Sequence, residues 1–132
     1  MADIISVKSQ SRTHFVNITS SVSEHLPKNF SGVCNLFCQH TTAALTINEN
    51  ADPDVVRDVD QHLEQLIPWR NPEYQHMEGN SAAHIKSSLL GPSLTVPVEN
   101  GKMLLGTWQS IYFCEFDGPR SRKVTIQLCP SL

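Results

Sequence analysis

The segment from Asp52 to Pro68 does most to limit what this chain can fold into. Asp52-Pro53-Asp54 supplies an acidic cap for free amide groups, a proline suited to the first helical turn and a second acid for the positive end of the dipole. Val55, Val56, Val59, Leu63, Leu66 and Ile67 follow at helical spacing, and Pro68 stops the pattern. The spacing predicts a helix over about Asp52–Ile67 that presents Val55, Val59, Leu63 and Leu66 to a sheet.

Strand patterns flank this helix on both sides. Ile5–Lys8 and His14–Ile18 alternate with period two, and Ser31-Gly32 punctuates before Val33–Gln39, a candidate central strand. Ala43–Ile47 is a further extended run. After a polar loop, Asn80-Ser81 is read as the cap of a second helix over roughly 82–89, ended by Gly91-Pro92. Strand patterns return at Leu94–Val98, Met103–Leu105, Trp108–Phe116 and Val124–Leu128, with turns at Glu99-Asn100-Gly101-Lys102 and Asp117-Gly118-Pro119. Strands on both sides of a helical middle imply an α+β class: two main helices and a mixed or antiparallel sheet pair, not a doubly wound fold. The 132 residues suit one domain over 1–132, which at this size buries roughly two-thirds of its unfolded surface.

A formal net charge of −3 with ten basic residues argues against nucleic acid as the main partner, because phosphate-backbone binding rests on a surplus of Lys and Arg. Met1-Ala2-Asp3-Ile4-Ile5 lacks the basic start and apolar run of a signal peptide, and no stretch approaches ~18 consecutive apolar residues. The expected address is cytoplasmic, with no membrane partner. Cys34, Cys38, Cys114 and Cys129 form no CxxC pair and all lie in apolar, strand-like surroundings, so reduced, buried thiols are expected.

Four polar clusters fall where strands and helices end. Gln39-His40-Thr41-Thr42 is followed by Asn48-Glu49-Asn50-Ala51-Asp52, a histidine, amides and carboxylates suited to metal ligation, to acid/base work, or to structural hydrogen bonding. His76 and His84 lie eight apart, one in a loop and one in the first turn of the second helix. They can converge on one ion or stand as unrelated surface residues. On that helix Lys86, Ser87 and Ser88 either hold phosphate oxygens or form a solvated face, with Ile85, Leu89 and Leu90 turned inward. Gly106-Thr107-Trp108-Gln109 offers a flat apolar wall beside a hydrogen-bonding amide, or a core tryptophan. Arg120, Arg122 and Lys123 form a small basic group that attracts an anion or blunts a turn. Cys38 and His40 share a strand face, but Cys38 reads as core-directed.

Together the strings HTTAALTINENADPDV, HMEGNSAAHIKSSLLGPS, VPVENGK and LLGTWQSIYFCEFDGPR resemble the YjbQ family, also called secondary thiamine-phosphate synthases. The similarity runs from about residue 5 to the last strand. Ser110 departs from the glycine expected after GTWQ, narrowing the pocket, and Ser81 from a common alanine.

The resemblance implies an α+β mixed-sheet sandwich assembled as a homotrimer, with pockets near subunit boundaries. It also implies a weak thiamine-phosphate synthase activity, in which an aminopyrimidine-methyl diphosphate loses diphosphate and is captured by a thiazole phosphate. That chemistry asks for a divalent metal ion (zinc, magnesium or manganese) and for donors that hold the diphosphate. By matching positions, the family's polar pocket falls on His40, Asn48, Glu49, Asp52, His76, His84, Lys86, Ser87, Ser88, Trp108 and Gln109. In this reading His40, His76 and His84 bind the metal, and Glu49 is a further ligand or the acid/base, with His40 as a second catalytic group. Lys86, Ser87 and Ser88 hold phosphate, Trp108 and Gln109 line the organic part, and Asn48 and Asp52 complete the substrate site. Two alternatives use the same groups: a metal-dependent phosphohydrolase, and a non-catalytic trimer that binds a phosphorylated metabolite.

Overall fold

The alternating runs become strands, and the computed structural model, which describes residues 2–132, pairs them into two antiparallel sheets. In chain order the elements are β1 (Ala2–Lys8), β2 (His14–Asn17), α1 (Thr19–Ser23), β3 (Gly32–Cys38), β4 (Ala43–Glu49), α2 (Pro53–Leu66), α3 (Ser81–Leu90), β5 (Ser93–Glu99), β6 (Lys102–Met103), β7 (Gln109–Glu115) and β8 (Ser121–Pro130). The larger sheet has the order β1-β8-β3-β5-β6 and the smaller β2-β7-β4. Among the described residues every ladder is antiparallel, so of the expected mixed or antiparallel pair the antiparallel form is the one present.

The smaller sheet is the middle layer. One face packs Leu45, Ile111 and Phe113 against Leu36, Val96, Val124 and Ile126 of the larger sheet. Its other face places Ala44, Tyr112 and Cys114 with Ala83 and Leu90 of α3 and Val56 and Leu63 of α2. A strand covered on both faces needs no alternation, which is why Ile111–Cys114 reads as one apolar run and Ile111–Phe116 is buried throughout. The β5–β6 hairpin closes through Asn100 and Gly101 at φ +50° and +78°. These are the two left-handed positions that a two-residue turn of primed type requires, and Asn-Gly supplies them at low cost.

Three expectations about the helices need correction. A short α1 occupies a stretch read as connector, where the Asn17 side chain accepts from the Thr19 amide at 3.0 Å; five residues are too few for a periodic signal. In α2 the Asp52 side chain does cap, accepting from Asp54 N at 2.9 Å, and Val55, Val59 and Leu63 are half-buried. Leu66, however, is 64% exposed. The inward stripe is centred on Val56, Asp60, Leu63 and Ile67, and Leu66 is the last residue of the helix. Helix α3 is turned the other way from the apolar-inward reading: Lys86 and Ser87 are buried while Ile85 and Leu89 face out. Lys86 can lie inside because Glu64 of α2 accepts from its ammonium at 2.5 Å and the Phe116 ring lies 5.6 Å away.

Cys34, Cys38 and Cys114 are buried as expected, but Cys129 is exposed near the end of β8. Burial raises the Cys34 thiol to about 11 and pushes Cys114 higher still. A thiol reagent added to the native protein is therefore expected to label Cys129 rapidly and the other three only after denaturant, and fast labelling of all four would refute this packing. No helix among the described residues is long and apolar enough to cross a membrane.

Candidate functional site

The antiparallel register brings three chain segments to one end of the sandwich. Ala43 at the start of β4 lies opposite Glu115 at the end of β7, and β8 begins beside them with Ser121 and Arg122. Glu115 is fully buried and Arg122 is 4% exposed. Arg122 grips the carboxylate with both Nε and Nη2, the Nε bond measuring 2.8 Å, and Nη2 also donates to Thr42 Oγ1 at 2.8 Å. Ser9 Oγ and the Asp117 amide donate to the same carboxylate at 2.9 and 3.0 Å. Burial by itself would raise the Glu115 carboxyl, but these donors outweigh it and hold it below the usual carboxylate range.

Against this buried pair opens a cleft of about 400 Å³ whose walls include His40, His76, Glu78, Asn80, His84, Asp117, Arg120 and Arg122. Gly79, at φ +81°, turns the loop after His76 so that Asn80 can start α3. The His76 and His84 rings thereby meet edge to face, 5.5 Å between centroids. His40 Nε2 accepts from the Lys123 amide at 3.0 Å, which places the proton of the neutral ring on Nδ1. Burial first, and then the nearby Arg122 charge, lower the His40 pKa, so its ring stays neutral into mildly acidic solution.

Asn80 stands at the N-cap of α3, but its side chain makes no capping bond. Its amide nitrogen donates to Glu78 at 3.1 Å and to Asp117 at 2.9 Å, and its buried oxygen has no donor among the described residues. Arg120 is held by Asp117 at 3.2 Å as Arg122 is by Glu115, which leaves the Glu78 carboxylate without a cation. With both arginines neutralised and an amide oxygen lacking a donor, the cleft suits a cation better than a bare anion.

All three expected metal ligands line this cleft, yet among the described residues no three His, Cys, Asp or Glu side chains stand close enough to hold one ion. One chain contributes the His76–His84 pair, with His40 elsewhere on the wall. The remaining candidates lie apart. Asn48 and Glu49 occupy the far end of β4, opposite Ser110 and Gln109, six residues from Ala43 and so about 20 Å along the strand. Asp52 is occupied in capping α2, Gln109 accepts from the Gly106 amide at 2.8 Å, and Trp108 is 63% exposed. Lys86 is sequestered by Glu64, Ser87 is buried, and exposed Ser88 donates back to the His84 carbonyl at 2.9 Å.

Glu78, Asn80, Glu115 and Asp117 were not among the expected site residues. Glu115 carried a readable signal, since an acid inside the run Tyr112–Phe116 must be paired wherever that strand is buried.

A family model described as UPF0047 protein YjbQ-like matches residues 3–131 of this chain. The UPF0047 protein YugU of Bacillus subtilis is 48% identical over 130 residues, covering 97% of this chain and 98% of its own. A UPF0047 protein of Methanocaldococcus jannaschii is also 48% identical, over 92% of this chain and 89% of its own. The crystal structure of an uncharacterized YjbQ/UPF0047 family protein from Clostridium acetobutylicum superposes with a TM-score of 0.92 at 48% identity, over 96% of this chain and 99% of that one.

Proposed function

The chain belongs to the YjbQ-like UPF0047 family, and from that premise we propose that it is a metal-dependent, transferase-like enzyme with thiamine-phosphate synthase activity. It joins an aminopyrimidine-methyl diphosphate to a thiazole phosphate with release of diphosphate, and it works as a cytoplasmic homotrimer. The observation that carries the reading is the cleft, whose walls carry a histidine pair and a surplus carboxylate while both arginines are neutralised. Such a cleft favours a phosphorylated substrate that arrives with a divalent cation over one that arrives bare.

His76 and His84 would hold the ion; His40 lines the same cleft, but its Nε2 lone pair is taken by the Lys123 amide and its Nδ1 carries the ring proton, so it would serve beside the ion and not as a ligand. When bound, the cation neutralises charge on the leaving diphosphate. Arg122 and Glu115 keep the cleft floor rigid. The distance between the histidines and Glu49 within one chain supports a site completed across a subunit boundary. There Glu49, Asn48, Trp108 and Gln109 of one subunit face the histidines of the next. The Glu49 carboxylate has no side-chain partner among the described residues, which leaves it able to carry a proton.

The test follows thiamine phosphate formation from the two phosphorylated precursors with added zinc, magnesium or manganese, and measures bound metal by elemental analysis. Cation-dependent product is expected, and His76→Ala with His84→Ala should lose the metal and lower the rate by about a hundredfold. Unchanged metal content in that variant would refute the ligand assignment. Phosphate release without joining would favour the phosphohydrolase instead.

A further inference from the structure

The cleft holds a second group of polar side chains that contains no histidine. Glu78 in the loop before α3, Asn80 at the start of that helix and Asp117 after β7 all line it. The Asn80 side-chain nitrogen lies between the two carboxylates, 3.1 Å from Glu78 Oε2 and 2.9 Å from Asp117 Oδ2. Asp117 is fixed in place, because its backbone amide donates to the buried Glu115 carboxylate at 3.0 Å.

An independent observation points to a ligand. Asn80 is 5% exposed, its amide is directed between the two carboxylates, and its Oδ1 has no hydrogen-bond partner among the described residues. A buried amide oxygen without a donor is costly. The two ends of the amide have nearly the same shape, so a half-turn about χ2 exchanges them. That half-turn breaks no bond to Oδ1, and it leaves one amide end unpartnered as before. It would, however, set an oxygen against two carboxylates, an arrangement that needs a cation between them. The spacing suits one. Magnesium takes oxygens at about 2.0–2.1 Å in near-octahedral geometry, so neighbouring ligand oxygens stand about 2.9–3.0 Å apart. The turned Asn80 oxygen would stand close to that distance from each carboxylate.

We propose that Glu78, Asn80 and Asp117 form an oxygen-only site for magnesium or manganese, separate from the histidine pair, which the Asn80 amide completes by turning its oxygen onto the ion. The inference rests on the reading of this cleft as a cation site and assigns two kinds of metal within it. Carboxylates and an amide carbonyl suit hard cations, whereas the imidazoles of His76 and His84 suit zinc. Three protein oxygens leave about three octahedral positions for water or for the oxygens of a phosphorylated substrate. With two carboxylates and one amide the site fills at about 10⁻⁴–10⁻³ M and empties on desalting, so metal retained by the protein reports on the histidines. Arg120 opposes the ion. Its Nη2 donates to the same Asp117 oxygen at 3.2 Å, and its side chain, 49% exposed, has room to swing away.

The test titrates magnesium chloride into the full-length protein and follows the side-chain amide signals of Asn80 by NMR, with potassium chloride at matched ionic strength as the reference. A saturable shift of those signals is expected in the wild type, and equally in His76→Ala with His84→Ala. Glu78→Gln should weaken binding by about tenfold or more. Arg120→Met should tighten it by about three- to tenfold, a gain that damage to the fold does not produce. The wild-type titration decides the matter even if a variant does not fold. No saturable shift of Asn80 up to about 20 mM magnesium, well above the expected constant, would overturn the proposal. So would binding that survives Glu78→Gln unchanged, or binding that is lost with the histidines. If the histidine variant instead keeps its zinc while Glu78→Gln loses magnesium, the histidine assignment fails and this site stands.

Discussion

Glu115→Ala is expected to lower the unfolding free energy by about 3–5 kcal/mol, because it leaves the Arg122 guanidinium buried without its carboxylate. The magnitude follows from burial on both sides of the pair, at 0% and 4% exposure, where water cannot replace the lost partner. Urea denaturation at neutral pH measures it. Glu115→Leu combined with Arg122→Met should recover part of the loss: it removes the unpaired buried charge, while the Ser9 hydroxyl and the Asp117 amide still lack their acceptor. The same pair predicts an acid-sensitive fold. The folded-state pKa of Glu115 lies below its unfolded value, so its stabilisation is complete above the ordinary carboxylate range and disappears as pH falls through the depressed value. His40, also lowered, acts in the same direction as its ring is forced to charge. A Glu115→Ala protein as stable as the wild type, or a wild type equally stable at pH 7 and in strong acid, would show that the pair does not stabilise this fold.

Mixing two inactive proteins should restore activity. Glu49→Gln and His76→Ala are each expected to lower thiamine phosphate formation by about a hundredfold, the first through loss of proton transfer and the second through loss of the metal. If one site takes its histidines from one subunit and Glu49 from the next, mixed trimers contain some sites with both groups intact. Random association leaves about a quarter of the sites in that state. Co-refolded mixtures should therefore recover about a quarter of wild-type turnover, whereas each variant alone stays inactive. No recovery from a mixture shown by mass spectrometry to contain hybrid trimers would sink the shared-site arrangement. Lys86→Met is the contrasting control, because its ammonium is sealed against Glu64. It should alter stability and leave the Michaelis constant unchanged.

The division of candidate residues between two ends of the sheet was partly legible beforehand. His40 and Glu49 flank a run read as extended, and a strand rises about 3.3 Å per residue, so the two cannot meet within one chain unless that run bends. The orientation of α3 was not legible. Ile85, Leu89 and Leu90 suggested an apolar face, but an ion pair from Glu64, some twenty residues earlier, is what allows Lys86 to turn inward. Nor did the pattern around Asn80 reveal that Glu78 and Asp117 would take its amide, since Asp117 is brought there by strand pairing.

Local chemistry was enough for α2, whose cap, first-turn proline and apolar spacing act within a few residues of one another. It was also enough for the Asn100-Gly101 hairpin, where backbone sterics alone select the turn. Family membership was readable for a similar reason, because long ordered motifs survive as strings. The cleft itself had to await the fold. Thr42, His76, Asn80, Glu115 and Arg122 come from segments far apart in the chain, and the register of β4, β7 and β8 gathers them at one end. Which charges are spent on each other and which remain for a ligand depends on that gathering, and no spacing along the chain encodes it.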